Sequence, residues 1–212
     1  MDVPQTLLTI RNLQIIATGV SEAEYMERYA EQFCEWVEGN VIKMSPVHER
    51  HDKLSRYAIR LLETFFELRP IGHIRIAPFV MRCGDDFPKR EPDIQIVLSV
   101  HAERLQPTFT DGPADIVIEI VSPGSIETDR GDKFSEYERC GVSEYWIFDP
   151  LHRETMFYRL NEDGIYMRYD PDTDGNYRTP TLPGFVLHVP TLWQEPLPTP
   201  TAVVEAVKAM LS

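Results

Sequence analysis

The chain predicts an α/β fold, a central mixed β-sheet flanked by helices, on three observations. Residues 115–150 read as an apolar strand, a short amphipathic helix and a second apolar strand, long enough together for a crossover unit. Residues 48–68 place apolar side chains at intervals of three and four, the mark of one long amphipathic helix. Residues 154–189 alternate around turn signals at 161–164 and 174–175, and read as a pair of hairpins that extends the sheet. Length and composition agree, since 212 residues with 42% hydrophobic content can bury one sizeable core and no composition shift divides them. The expectation is a single domain over 1–212, with its core at 20–193 and a linker and short C-terminal helix at 194–212.

Taken in order, Ser21 with Glu24 three residues on forms a capping box for a short helix near 22–32. Residues 33–45 alternate around Glu38-Gly39-Asn40 and predict a hairpin. In the long helix, Leu54, Tyr57, Ala58, Leu61, Leu62, Phe65 and Leu68 form the buried stripe. His51 falls at its N-terminal end, where an imidazole serves either as a core or capping residue or as a site residue. Lys53, Arg56 and Arg60 occupy the other face, which reads as a solvated surface or as a phosphate-contacting stripe. A strand at 74–81, a polar turn at 83–90 and a strand at 92–100 follow.

Strand parity then assigns faces. Asp93, Gln95 and Val97 oppose Ile94, Ile96 and Leu98; Val117, Glu119 and Val121 oppose Ile116, Ile118 and Ile120. A carboxylate inside an apolar strand is costly unless something compensates it, so Glu119 needs a partner. Two neighbouring strands presenting Asp93 and Glu119 can bring both to one hard cation, with a backbone carbonyl and water completing the shell. In the following helix Phe134, Tyr137 and Cys140 make the apolar face, and Lys133 borders it. Lys133 reads either as a side chain snorkelling to Asp129 or as a cation that orients a metal-bound water and offsets phosphoryl charge.

Charge and cysteine content exclude several classes. A formal charge of -13 is incompatible with non-specific coating of nucleic acid, leaving only a local basic patch or bound cations for phosphate contact. Cys34, Cys83 and Cys140 are odd in number and far apart, fitting neither a disulfide framework nor a zinc cluster, so reduced thiols are expected. The N-terminus lacks a signal-peptide pattern and no apolar run approaches bilayer length, so a soluble cytoplasmic protein without a membrane partner is expected. Ser122-Pro123-Gly124-Ser125 lacks the features of a P-loop or nucleophile elbow and reads as a strand-to-helix turn. Asp170, Asp172, Asp174 and Gly175 begin like a calcium loop, but Thr181 stands where the final glutamate belongs.

The segments WVEGNVIKMSP, HDKLSRYAIRLL, EPDIQIVL and ADIVIEIVSPGSIETDRGDKFSEYERCGVSEYWIFDP, in that order, resemble the Uma-two family of restriction-endonuclease-like proteins, within the PD-(D/E)XK nuclease superfamily. The resemblance implies a restriction-endonuclease-like fold and magnesium-dependent phosphodiester cleavage, with manganese as a possible substitute. It matches Asp93 to the Asp of the PD motif, Glu119 to the next acidic residue and His51 to the histidine usual on the long helix. The chain departs from the pattern twice. Val121 occupies the usual lysine position, the lysine being displaced to Lys133, and Asn40 stands where related sequences carry Glu, with Glu35 or Glu38 as substitutes. The expected function is a metal-dependent DNA endonuclease using catalytic Asp93, Glu119, Lys133 and His51, with metal held by Asp93, Glu119 and the Ile120 carbonyl. The rival is a catalytically silent nuclease fold that binds nucleic acid or protein. DNA is the expected partner, and cutting both strands with one site per chain favours a homodimer.

Overall fold

The computed structural model describes residues 14–44, 48–122, 125–126 and 128–212. In chain order its elements begin β1 (Gln14–Ala17), α1 (Glu22–Arg28), β2 (Cys34–Val37), β3 (Asn40–Lys43), α2 (Glu49–Leu68), β4 (Gly72–Ile76), β5 (Val80–Arg82), β6 (Lys89–Arg90) and β7 (Ile94–Leu98). They continue with β8 (Phe109–Asp111), β9 (Ile116–Ile120), α3 (Lys133–Cys140), β10 (Glu144–Asp149), β11 (Glu154–Leu160), β12 (Tyr166–Tyr169), β13 (Asn176–Arg178), β14 (Val186–His188) and α4 (Pro200–Leu211).

The centre is a six-stranded mixed sheet, β12-β11-β10-β9-β7-β4. β9 is buried along its whole length and pairs antiparallel with β7 and parallel with β10. Parallel neighbours need a crossover, and α3 supplies it. The predicted alternation holds: Ile116, Ile118 and Ile120 pack with Leu54, Ala58, Leu61 and Phe65 of α2, whereas Val117 and Val121 pack with Tyr137 of α3 and with Tyr145 and Ile147 of β10. Each fully buried side chain of this kind contributes about 1.5–3 kcal/mol of transfer free energy, so the stripe of α2 is enough to dock the helix.

Several expectations are corrected. The hairpin β2–β3 joins β1, β6, β5 and β8 in a second six-stranded sheet, built over its own small core of Val20, Tyr25, Cys34, Val41 and Val80. The strand expected at 74–81 is split, β4 entering the central sheet and β5 the second one. Pro78 lies between them, and a residue without an N–H cannot continue a ladder. Of the two hairpins expected after residue 154, β11–β12 extends the sheet, but β13 pairs with β14 as a separate ribbon. That ribbon folds back over the α2 face because its apolar side chains fit there: Tyr177 stacks on Phe157 at 3.6 Å between ring centroids, and Phe185 lies against Phe65 and Trp146. The C-terminal helix buries Val203 and Val207 against this chain's own α2. Cys83 and Cys140 form a disulfide, with Cα atoms 5.6 Å apart across 57 residues of sequence, while Cys34 is free and buried. Their sequence spacing hides a pair that the docking of α3 beside β5 creates. The calcium-like run is a turn in which Asp172 accepts the Asp174 and Asn176 amides, holding its carboxyl below the usual range. The turn expected at Ser122-Pro123-Gly124-Ser125 falls partly outside the described residues, as do 1–13 and Ser45. No helix among the described residues is long and apolar enough to cross a membrane.

Candidate active site

The candidate residues meet at the C-terminal end of β9. Asp93 immediately precedes β7, and its Oδ2 accepts the Ile120 amide at 2.7 Å and lies 3.0 Å from His51 Nε2. His51 reaches it from the first turn of α2, so the helix end, the β7 start and the β9 end are fastened at one carboxylate. Burial works against protonation of His51, but the bond to Asp93 and nearby carboxylates outweigh it and raise its pKa. The other ring nitrogen, Nδ1, is buried without a protein partner.

The β7–β9 register pairs Ile94 with Ile118, so two further residues along set Pro92 opposite Ile120, with Asp93 opposite Glu119 between them. Proline has no N–H to offer, which leaves the Ile120 carbonyl without a ladder bond from that side. A Glu91-Pro92-Asp93 sequence thus does two things at once: it ends the ladder and positions a carboxylate over the end of β9.

On the face of β9 turned toward α3, Glu119 is 3% exposed, and its Oε1 accepts the Lys133 ammonium at 3.0 Å and the Tyr137 hydroxyl at 2.8 Å. Lys133 begins α3 and is equally buried; its Nζ also lies 3.1 Å from Asp129 Oδ1 and 3.6 Å from Glu35 Oε1. Lys133 thus pairs with Asp129 one turn earlier and also reaches Glu119 of β9. Val121 packs in the α3-side core, so the ammonium group near Glu119 comes from the helix.

The charge balance is uneven. Burial alone would lower the Lys133 pKa, but Glu119, Glu35 and Asp129 hold it well above the usual lysine range. Glu119 is pushed up to about 8, first by burial and then by Asp129, Asp93 and Glu35, despite Lys133. Asp129 is also raised, chiefly by burial. Glu35 is lowered: burial would raise it, but Lys133 and Arg90 prevail.

Glu35, Arg90 and Tyr137 are site residues that the sequence pattern assigned no part in the chemistry, although Glu35 was a candidate to replace the missing hairpin glutamate. Arg90 Nη1 donates to Glu35 at 2.8 Å, while its Nε and Nη2 both donate to Glu136 of α3 at 2.7 Å. Glu35 comes from the same hairpin as Asn40, whose side chain turns to the Glu38 carbonyl at 3.5 Å. Glu91, one residue before Pro92, is buried with neither carboxylate oxygen hydrogen-bonded. Its pKa is pushed up to about 8 by burial and by Glu35. The available signal was a carboxylate at an inward position of a strand, as at Glu35 between Cys34 and Trp36.

The donor set suits a hard divalent cation. Among the described residues, protein hydrogen bonds reach only Oδ2 of Asp93 and Oε1 of Glu119, leaving one oxygen on each without a protein donor. Glu119, Asp129 and Glu35 share Lys133, and the charge of Asp93 further raises the Glu119 and Asp129 pKa values, a deficit of positive charge that an ion would relieve. No group of three His, Cys, Asp or Glu side chains among the described residues is arranged to hold a metal, so an ion at Asp93 and Glu119 would need a carbonyl and water to complete its shell, as magnesium sites permit.

Comparison with known proteins gives the fold independently. A "putative nuclease belonging to DUF820" from Anabaena variabilis ATCC 29413 superposes with a TM-score of 0.69, covering 82% of this chain and 97% of that one at 18% identity. No curated protein matches. The family model described as "Putative restriction endonuclease", Uma2, matches residues 21–190, a span that includes His51, Asp93, Glu119 and Lys133, and the chain belongs to that family.

Proposed function

We propose that the protein is a divalent-metal-dependent DNA endonuclease that hydrolyses phosphodiester bonds, with magnesium as its working ion and manganese as a substitute. The observation that carries this reading is the reach of Lys133 to Glu119, at 3.0 Å, on the strand whose next residue gives its amide to Asp93. The lysine absent from the strand is thereby replaced in space.

Asp93 and Glu119 would hold the ion through their unpartnered oxygens, with the Ile120 carbonyl as third protein donor. When bound, the ion supplies a nucleophilic water of lowered pKa and neutralises phosphate charge. Lys133, kept charged by its carboxylates, directs that water by hydrogen bonding and offsets charge growing on the phosphoryl oxygens. His51 holds Asp93 in place through Nε2, with its buried, unpartnered Nδ1 left to hold or release a proton. Cleavage of both strands calls for two copies of this single site, supplied by a homodimer acting in the cytoplasm.

A catalytically silent nucleic-acid or protein-binding module is the second reading, favoured by the charge of -13 and by Asn40. A nicking assay on supercoiled plasmid separates the two. Nicking by the wild type with magnesium or manganese, lost in Asp93→Ala and Glu119→Ala, is the expected result; equal activity in all three, or none in any, supports the silent module.

A further inference from the structure

We propose that the groove between the outer face of α2 and residues 192–198 binds a nucleic-acid phosphodiester backbone and delivers it to the carboxylate pair, an assignment that rests on the nuclease reading above. The groove encloses about 680 Å³ and is lined by Arg50, Lys53, Arg56, Arg60 and Arg153, with Trp193 on its apolar wall. Only two carboxylates, Glu49 and Glu195, share those walls. Five cations concentrated in one concavity are a strong local reversal in a chain of formal charge -13. Lys53 and Arg56 are paired along the helix with Glu49 and Asp52, and Arg50 with Glu195. Arg60 and Arg153 have no carboxylate within ion-pair distance among the described residues, and they are the groups free to meet phosphate.

Geometry ties the groove to the site. Arg50 adjoins His51, and its Nη1 donates to the Pro150 carbonyl at 3.2 Å. Pro150 follows β10, whose Phe148 pairs with Ile120 at the end of β9. The groove therefore opens at Pro150, beside the end of β10, the strand that pairs with β9. From there the helical rise of about 1.5 Å per residue sets Arg60 roughly 15 Å along α2 from Arg50, the length of about four nucleotide steps at ~3.4 Å each. A cationic row of that length with an apolar wall fits a polyphosphate chain, since phosphate contacts position a strand without reading its sequence.

Binding is measured by fluorescence anisotropy on the full chain in calcium, with labelled duplex DNA, the same sequence single-stranded, and polyglutamate. Intactness of the DNA is checked on a gel. The groove variant is Arg60→Glu/Arg153→Glu and the control is Arg168→Glu, an exposed residue paired with Asp170 on β12. Circular dichroism melts verify that both remain folded. We expect the groove variant to lose at least about tenfold in affinity for one or both DNAs, with the slope of log K against log salt reduced by about 2. The control should stay within about twofold, and polyglutamate should bind neither protein comparably. Unchanged DNA affinity in the groove variant, absence of DNA binding by the wild type, or equal binding of polyglutamate overturns the assignment. The nicking assay reads the catalytic proposal separately: a wild type that nicks while the groove variant binds normally loses the groove and keeps the enzyme.

Discussion

The two faces of β9 come from one five-residue strand and build opposite interiors. Toward α2, Ile116, Ile118 and Ile120 enter hydrocarbon and aromatic packing with Phe65, Trp146, Phe157 and Phe185. Toward α3, Val117 and Val121 flank Glu119, which meets Lys133, Tyr137 and the charge of Asp129 and Glu35. Burial stabilises the first face directly. On the second it raises carboxyl pKa values and leaves stability dependent on one lysine. The difference teaches that the apolar face fixes the sheet firmly enough for the other to retain ionisable groups that a stability criterion alone would replace with hydrocarbon.

The comparison breaks most sharply by function. Asp93→Ala and Glu119→Ala should each reduce plasmid nicking about 10³-fold, the scale of several kcal/mol of lost charge stabilisation, whereas Phe65→Ala should leave nicking intact per folded molecule. The same Phe65→Ala should lower unfolding free energy by about 3–5 kcal/mol, read as a shifted denaturant midpoint at unchanged slope. An unaffected midpoint would mean that the α2 face does not carry the fold.

Lys133→Met tests the charged face. Removing one partner of a buried cluster leaves the others uncompensated, at a cost of about 3–5 kcal/mol. Above pH 8, where Glu119 ionises, adding Glu119→Gln should restore part of that loss, because it removes a charge that Lys133 no longer balances. A double variant no more stable than the single would show that Lys133 acts through packing rather than charge.

A pH-dependent effect concerns Glu91. Its folded pKa, about 8, lies above the ordinary value of 4.5, so the folded state binds the extra proton between those limits. Stability from this group is accordingly full at low pH and falls as pH rises through the window, by up to about 1.4 kcal/mol per unit. Glu91→Gln cannot ionise, so its gain in melting temperature over the wild type should be greater at pH 8 than at pH 5. Equal gains at both values would place the cause outside ionisation.

Much of this arrangement is legible in the chain. The period of α2 marks its buried stripe, and the alternation in β7 and β9 separates Glu119 from its isoleucine neighbours. The prolines are less legible: the strand expected at 74–81 runs through Pro78, which divides β4 from β5, and the strand expected from Pro92 begins only at Ile94. The motif block 115–150 led to a family that the match over 21–190 bears out. Less accessible are the second sheet and the folded-back β13–β14 ribbon, because a strand's period declares its faces but not its pairing partners.

The sequence by itself determined which side chains share a face, and hence that Glu119 must enter an interior and that Lys133 borders one. Those are consequences of backbone periodicity and act over a few residues. Tertiary structure alone decided that Lys133 meets Glu119, Asp129 and Glu35 together, that Arg90 joins Glu35 to α3, and that Cys83 finds Cys140. Each of the long-range contacts spans from 14 to 98 positions in sequence, a separation closed only when the α3 crossover docks on one face of the sheet and the β2–β3 hairpin closes over its end. No local pattern encodes that convergence, because it depends on how separately formed elements bury their apolar faces against one another.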